Sequence, residues 1–119
     1  MNRPEDLTGT SRRIPAPNAG GGDDRPATIH LDIVISRDEK GRCFEAFVHG
    51  APPAVQGTVN ALARVTSAAL QGGVEVKRIV SMLKGQVDDG THPRVGRRRV
   101  VSIADALALA FERELGLED

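Results

Sequence analysis

Val101-Ser102-Ile103-Ala104-Asp105-Ala106-Leu107-Ala108-Leu109-Ala110-Phe111-Glu112-Arg113-Glu114-Leu115-Gly116 is the stretch whose reading decides the fold. It opens with a hydroxyl and a carboxylate three residues apart, Ser102 and Asp105, which is the spacing of a helix capping box. Asp105 is shorter than the Glu or Gln usual at that position. Behind it Ile103, Leu107, Ala110, Phe111 and Leu115 recur at helical spacing, and Gly116 stands where a C-terminal cap belongs. The segment predicts a capped helix with one apolar face, and that face needs something to cover it.

Working outward toward the N-terminus, Gln86–Arg99 is polar and contains glycine, so it reads as a loop or a short extended segment. The loop around Val100–Val101 is the place for any third strand. Before it, Glu75–Lys84 carries Val76, Ile79, Val80 and Leu83 at i, i+3, i+4 and i+7, a helix that Gly85 stops. Another helix runs from Val55 or Thr58 to Gln71, with Val59, Leu62, Val65, Thr66, Ala69 and Leu70 as its inner stripe. Its small residues Ala61, Ala63, Ser67 and Ala68 leave room for a close neighbour, and Gly72-Gly73 ends it. Gly50-Ala51-Pro52-Pro53 separates this helix from a β-hairpin.

In that hairpin Thr28–Ser36 alternates, with Ile29, Leu31, Ile33 and Ile35 on one face and His30, Asp32 and Ser36 on the other. Arg37–Gly41 is the connecting loop, where Gly41 can supply a positive φ. Arg42–Val48 returns with Phe44, Ala46 and Val48 opposed to Cys43, Glu45 and Phe47. The order is therefore β-β-α-α-loop-α, an α+β domain in which an antiparallel hairpin packs against three helices. A two-stranded hairpin is marginal alone, so it leans on the helices or pairs with a second copy, which makes a homo-oligomer one partner expectation.

The residues before Thr28 look unable to join a core. Met1–Ala27 holds Pro4, Pro15, Pro17, Pro26 and Gly20-Gly21-Gly22, with only Leu7 and Ile14 as large aliphatics. The expectation is a disordered N-terminal arm over residues 1–27 and a single domain over 28–119. Sixteen basic and sixteen acidic residues give a net charge of zero, so no global field draws in nucleic acid or an anionic membrane. No apolar run reaches the length of a membrane span and no signal-peptide core is visible, which makes the cytoplasm the default compartment.

Few residues suggest chemistry. His30, His49 and His92 show none of the short spacings of zinc sites, and no metal ligand is assigned. Cys43 is the only cysteine, so no intrachain disulfide is available, and it reads as a small packed hydrophobe rather than a nucleophile. Arg94, Arg97, Arg98 and Arg99 form the one basic cluster. Their guanidinium groups suit the phosphates of a nucleotide or nucleic acid, while a solvated loop or an acidic partner surface fits them equally. Against nucleic acid, the chain has no Trp or Tyr and only three Phe for stacking. No catalytic residue is assigned.

The ordered set Gly41–Val48, Asn60–Val74, Ile79–Gly85 and Val101–Ala108 resembles the TSCPD domain, which occurs toward the C-terminus of adenosylcobalamin-dependent (class II) ribonucleotide reductases and as small free-standing proteins. The resemblance covers about Thr28 to Leu115. The Thr-Ser-Cys-Pro-Asp run that names the family falls on Val101-Ser102-Ile103-Ala104-Asp105. Ser102 and Asp105, the cap residues, are kept, whereas Ile103 and Ala104 replace Cys and Pro. A further cysteine that many members carry after the Leu-Lys-Gly segment is also missing from Gln86-Val87-Asp88. Fold and partner class transfer, and no metal or thiol-redox role does. The resemblance implies an accessory or appended module in deoxyribonucleotide synthesis, acting by protein–protein contact with a reductase catalytic chain that would itself hold adenosylcobalamin. This chain carries no cofactor of its own and, with one cysteine, cannot reduce a ribonucleotide alone.

Overall fold

Residues 8–18 and 26–117 are described by the computed structural model. The alternation at Thr28–Ser36 builds strand β2 (Thr28–Arg37), whose Leu31, Ile33 and Ile35 are fully buried on one face. Strand β3 (Cys43–His49) returns antiparallel, with Ile33 opposite Val48 and Ile35 opposite Ala46. In the turn the Asp38 N–H donates to Arg42 O at 2.8 Å, and Gly41 takes the expected positive φ of 78°. Asp38 Oδ1 accepts the N–H groups of Arg42 and Lys40, and the Arg42 backbone hydrogen bond leads in holding that carboxyl below its ordinary range. A register shift between Ser36 and Arg37 leaves Arg37 opposite Cys43.

A third strand exists, but it is neither at Val100–Val101 nor absent from the N-terminal arm. Strand β1 (Thr8–Pro17) pairs antiparallel with β2 from Thr8↔Arg37 to Pro17↔Thr28, giving the sheet order β1-β2-β3. The expected disordered arm is thus corrected over Thr8–Pro17, while residues 1–7 and 19–25 lie outside the described residues. The physical reason is placement rather than quantity of apolar side chains. Ile14, opposite Leu31, and Ala16, opposite Ile29, fall on the helix-facing side of the sheet and are 0 % exposed. Pro15 and Pro17 are tolerated because β1 is an edge strand that need not donate along its outer side.

The polar loop after Gly85 holds a small hairpin of its own, β4 (Arg94–Val95) and β5 (Arg98–Arg99), separate from the main sheet. Val100 follows it as a buried loop residue whose N–H donates to Pro93 O at 2.8 Å.

Helix α1 (Pro53–Gln71) starts earlier than its apolar stripe suggests, because proline is tolerated in the first turn. Its phase also differs from expectation. Val59, Ala63, Thr66 and Leu70 are buried, whereas Val65 is 68 % exposed. The close neighbour that its small residues admit is the outer edge of β3. Ser67 Oγ accepts the Ala46 N–H at 3.0 Å, Gln71 Nε2 donates to Phe44 O, and Gln56 Nε2 donates to Val48 O. Side chains of α1 therefore satisfy the backbone groups that an edge strand would otherwise offer to another chain.

Helix α2 (Val76–Leu83) packs its stripe of Ile79, Val80 and Leu83 toward α3 (Ile103–Glu114). Helix α3 is more deeply buried than an amphipathic stripe requires, with every residue from Ala106 to Phe111 at 0 % exposure. It lies against α2, β1 and β2, and its alternating alanines let these neighbours approach from several sides. At its end Gly116 adopts φ 69°, its N–H donating to Arg113 O and the Leu117 N–H to Glu112 O, which is a Schellman cap.

Candidate functional site

The Ser102 half of the expected capping box forms, with Ser102 Oγ accepting the Asp105 N–H at 2.9 Å, while the Asp105 carboxylate takes the Val101 N–H in place of that of Ser102. The Asp105 carboxylate has a further use. Only 1 % exposed, it accepts the Val101 N–H on Oδ2, and on Oδ1 the Gly85 N–H and Arg98 Nη2, all at 3.0 Å. One side chain thereby joins the end of α2, the β4–β5 hairpin and the start of α3. Two turns further along, Glu112 accepts Arg98 Nη2 at 2.9 Å and Lys84 Nζ at 3.3 Å. A buried carboxylate is tolerable only when its lone pairs are answered in this way.

A second ionic cluster closes the far end of α3. Glu114 accepts Arg12 Nη1 at 2.6 Å and Arg37 Nε, while Arg37 Nη2 also donates to the Glu114 backbone carbonyl at 2.7 Å. Burial pushes the Glu114 carboxyl upward, but the Arg12 and Arg37 hydrogen bonds outweigh it and leave it below the ordinary value. Sequence reading missed Arg12, Arg37, Lys84, Glu112 and Glu114. The one local signal was two further carboxylates, Glu112 and Glu114, at the end of a helix that is alanine and large apolar residues from Ala106 to Phe111.

The four arginines divide. Arg98 is turned inward onto Asp105 and Glu112, while Arg94, Arg97 and Arg99 are exposed. Arg94 stands directly opposite Arg99 in the ladder. Arg99 Nη2 lies 3.1 Å from His92 Nδ1, and His92 Nε2 lies 2.7 Å from Asp88 O. Since arginine can only donate and a carbonyl can only accept, this geometry assigns the imidazole proton to Nε2.

The other histidines are elsewhere. His30, Asp32 and His49 share the outer face of the sheet, where Asp32 is flanked by Arg13 on β1 and His49 on β3. Among the described residues no three His, Cys, Asp or Glu side chains are grouped to hold a metal ion. Cys43 is 8 % exposed on the wall of a cavity of about 420 Å³ shared with Arg37, Leu70 and Val74. Burial pushes its thiol pKa up, which disfavours the thiolate.

A cavity of about 260 Å³ brings together Ile103 and Asp88, the latter from the Gln86-Val87-Asp88 stretch that lacks the family's further cysteine. The Asp88 N–H donates to Val101 O at 2.8 Å, so the loop after α2 is tied to the start of α3. The rest of the lining is mainly apolar, including Pro17, Ile29, Val55, Val59 and Leu62, with Thr58 as a second polar side chain. One carboxylate in a mainly apolar enclosure does not fit a thiolate-bound metal or a redox cysteine pair.

Compared with known proteins, the chain matches the family model described as TSCPD domain over residues 3–115. No curated protein and no solved structure matches it.

Proposed function

We propose, for a chain that belongs to the TSCPD domain family, that it serves as an accessory module of a ribonucleotide reductase, non-catalytic by itself and acting through protein–protein contact. The family is known from ribonucleotide reductases. The observation that carries the reading is that the match spans residues 3–115, so the family's domain accounts for nearly the whole chain. Further support comes from the use made of the motif residues. Ser102 and Asp105 hold backbone and arginine groups in place, and Ile103 contributes an apolar wall. Radical chemistry, the cobalamin site and the substrate-reducing cysteines would belong to the larger catalytic chain. What this chain's own residues do is fix α2, α3 and the β4–β5 hairpin as one rigid surface.

Capture with the tagged protein from its native host tests the proposal. A reductase catalytic chain should be recovered and identified by mass spectrometry, and should bind again when purified. Failure of both steps removes the reading.

A second reading, a nucleotide or nucleic-acid binding module, is favoured by the exposure of Arg94, Arg97 and Arg99, with Arg98 now excluded from contact. It predicts salt-sensitive binding of nucleotides or DNA that weakens when these arginines become alanine. Flat titrations at low salt would dismiss it.

A further inference from the structure

The β4–β5 hairpin breaks a rule that the rest of the chain keeps. Arg94 faces Arg99 across the ladder, and like charges in facing positions repel. Arg97 projects from the turn between them. Among the described residues Arg94 and Arg97 meet no carboxylate, and the partner of Arg99 is the neutral imidazole of His92. The neighbouring Arg98 shows the opposite treatment, since it takes both buried carboxylates of α3. That ion pair and the fully buried Val100 side chain fasten the hairpin to the core, while the Val100 N–H on Pro93 O closes the hairpin's base. Three crowded guanidinium groups that meet no carboxylate among the described residues are a local conflict of the kind that persists where a ligand relieves it.

We propose that Arg94, Arg97 and Arg99 are the docking face of this module and that they receive an acidic protein segment of the partner. The inference rests on the contact reading above and names its surface. Facing side chains of a ladder lie about 5 Å apart, so two guanidinium forks can grip carboxylates from one short segment, each bidentately. Nucleic acid is the poorer occupant. Phe44 and Phe111 are buried, Phe47 lies on the outer face of β3, and the chain has no Trp or Tyr, so among the described residues the ring beside the arginines is the His92 imidazole, already held between Arg99 and the Asp88 carbonyl. Three phosphate contacts alone hold a duplex weakly at physiological salt.

The test is a fluorescence-anisotropy titration of the full chain with a labelled oligoglutamate peptide at low and raised salt, beside a labelled DNA duplex. The peptide should bind, weaken with salt, and lose about tenfold or more in affinity in the Arg94→Ala/Arg97→Ala variant. Lys77→Ala, which removes an exposed charge on α2, should change nothing. Thermal melts supply a second readout, because Arg94→Ala relieves the repulsion and should leave the melting temperature equal or higher. No peptide binding, equal loss in Lys77→Ala, or tighter binding of the duplex through the same arginines would overturn the proposal. Capture of a reductase that is indifferent to Arg94→Ala/Arg97→Ala would sink this surface and leave the contact reading standing. Peptide binding without any reductase capture would do the reverse.

Discussion

Asp105 draws three donors from three segments onto a carboxylate that water barely reaches. Removing it strands the Gly85 and Val101 N–H groups and leaves the Arg98 charge with Glu112 alone. Asp105→Ala should therefore cost about 3–5 kcal/mol, the range for breaking a buried pair, whereas Ser102→Ala, which loses one cap hydrogen bond, should cost about 1 kcal/mol. Urea unfolding followed by circular dichroism measures both. Glu114 gives a pH signature. Its folded-state pKa lies below the ordinary 4.5, so its contribution is complete above that value and is lost as pH falls through the lowered one. Glu114→Gln should be less stable than the parent by about 2 kcal/mol at neutral pH, with the gap closing in acid. A constant gap across the titration would reject this assignment. The cap was legible because Ser102 and Asp105 are local to one another. The Arg12–Glu114 pair spans almost the whole chain, and nothing in either neighbourhood names the other.

At the scale of elements, β1 is where sequence and structure part. Periodicity revealed β2, β3 and all three helices because each repeats an apolar spacing of its own. Strand β1 does not, for it brings just Ile14 and Ala16 to a face already built by β2, and the prolines around them resemble a linker. Its strand character comes from the partner. Ile14→Ala should accordingly cost about 2–5 kcal/mol, as a fully buried aliphatic does. Deleting residues 1–17 should abolish cooperative unfolding, since it uncovers Leu31 and removes Arg12 from Glu114. A truncated chain that melted like the parent would restore the disordered-arm expectation. The phase of α1 was misread for a related reason. Ala63 and Ser67 look like surface residues until the β3 edge is seen to need them, and Val65 is turned outward as a result.

Across the whole molecule, a net charge of zero conceals a division of labour. Helix α3 gathers Asp105, Glu112 and Glu114 and distributes them to Lys84, Arg98, Arg12 and Arg37, while Arg94, Arg97 and Arg99 are left facing solvent. The clustered arginines were visible in the sequence, but which of them was structural was not, because that depends on α3 lying beneath the hairpin. Similarly, Ile103 and the Gln86-Val87-Asp88 stretch each lack a family cysteine, and only the fold puts Ile103 and Asp88 on one cavity wall. The role proposed for the chain is contact beside a catalytic partner. Calorimetric titration of the purified full chain into the purified reductase catalytic chain of the same host tests this most directly. The account predicts saturable binding with a Kd of about 10 μM or tighter, and no heat of association at concentrations well above that value would contradict it.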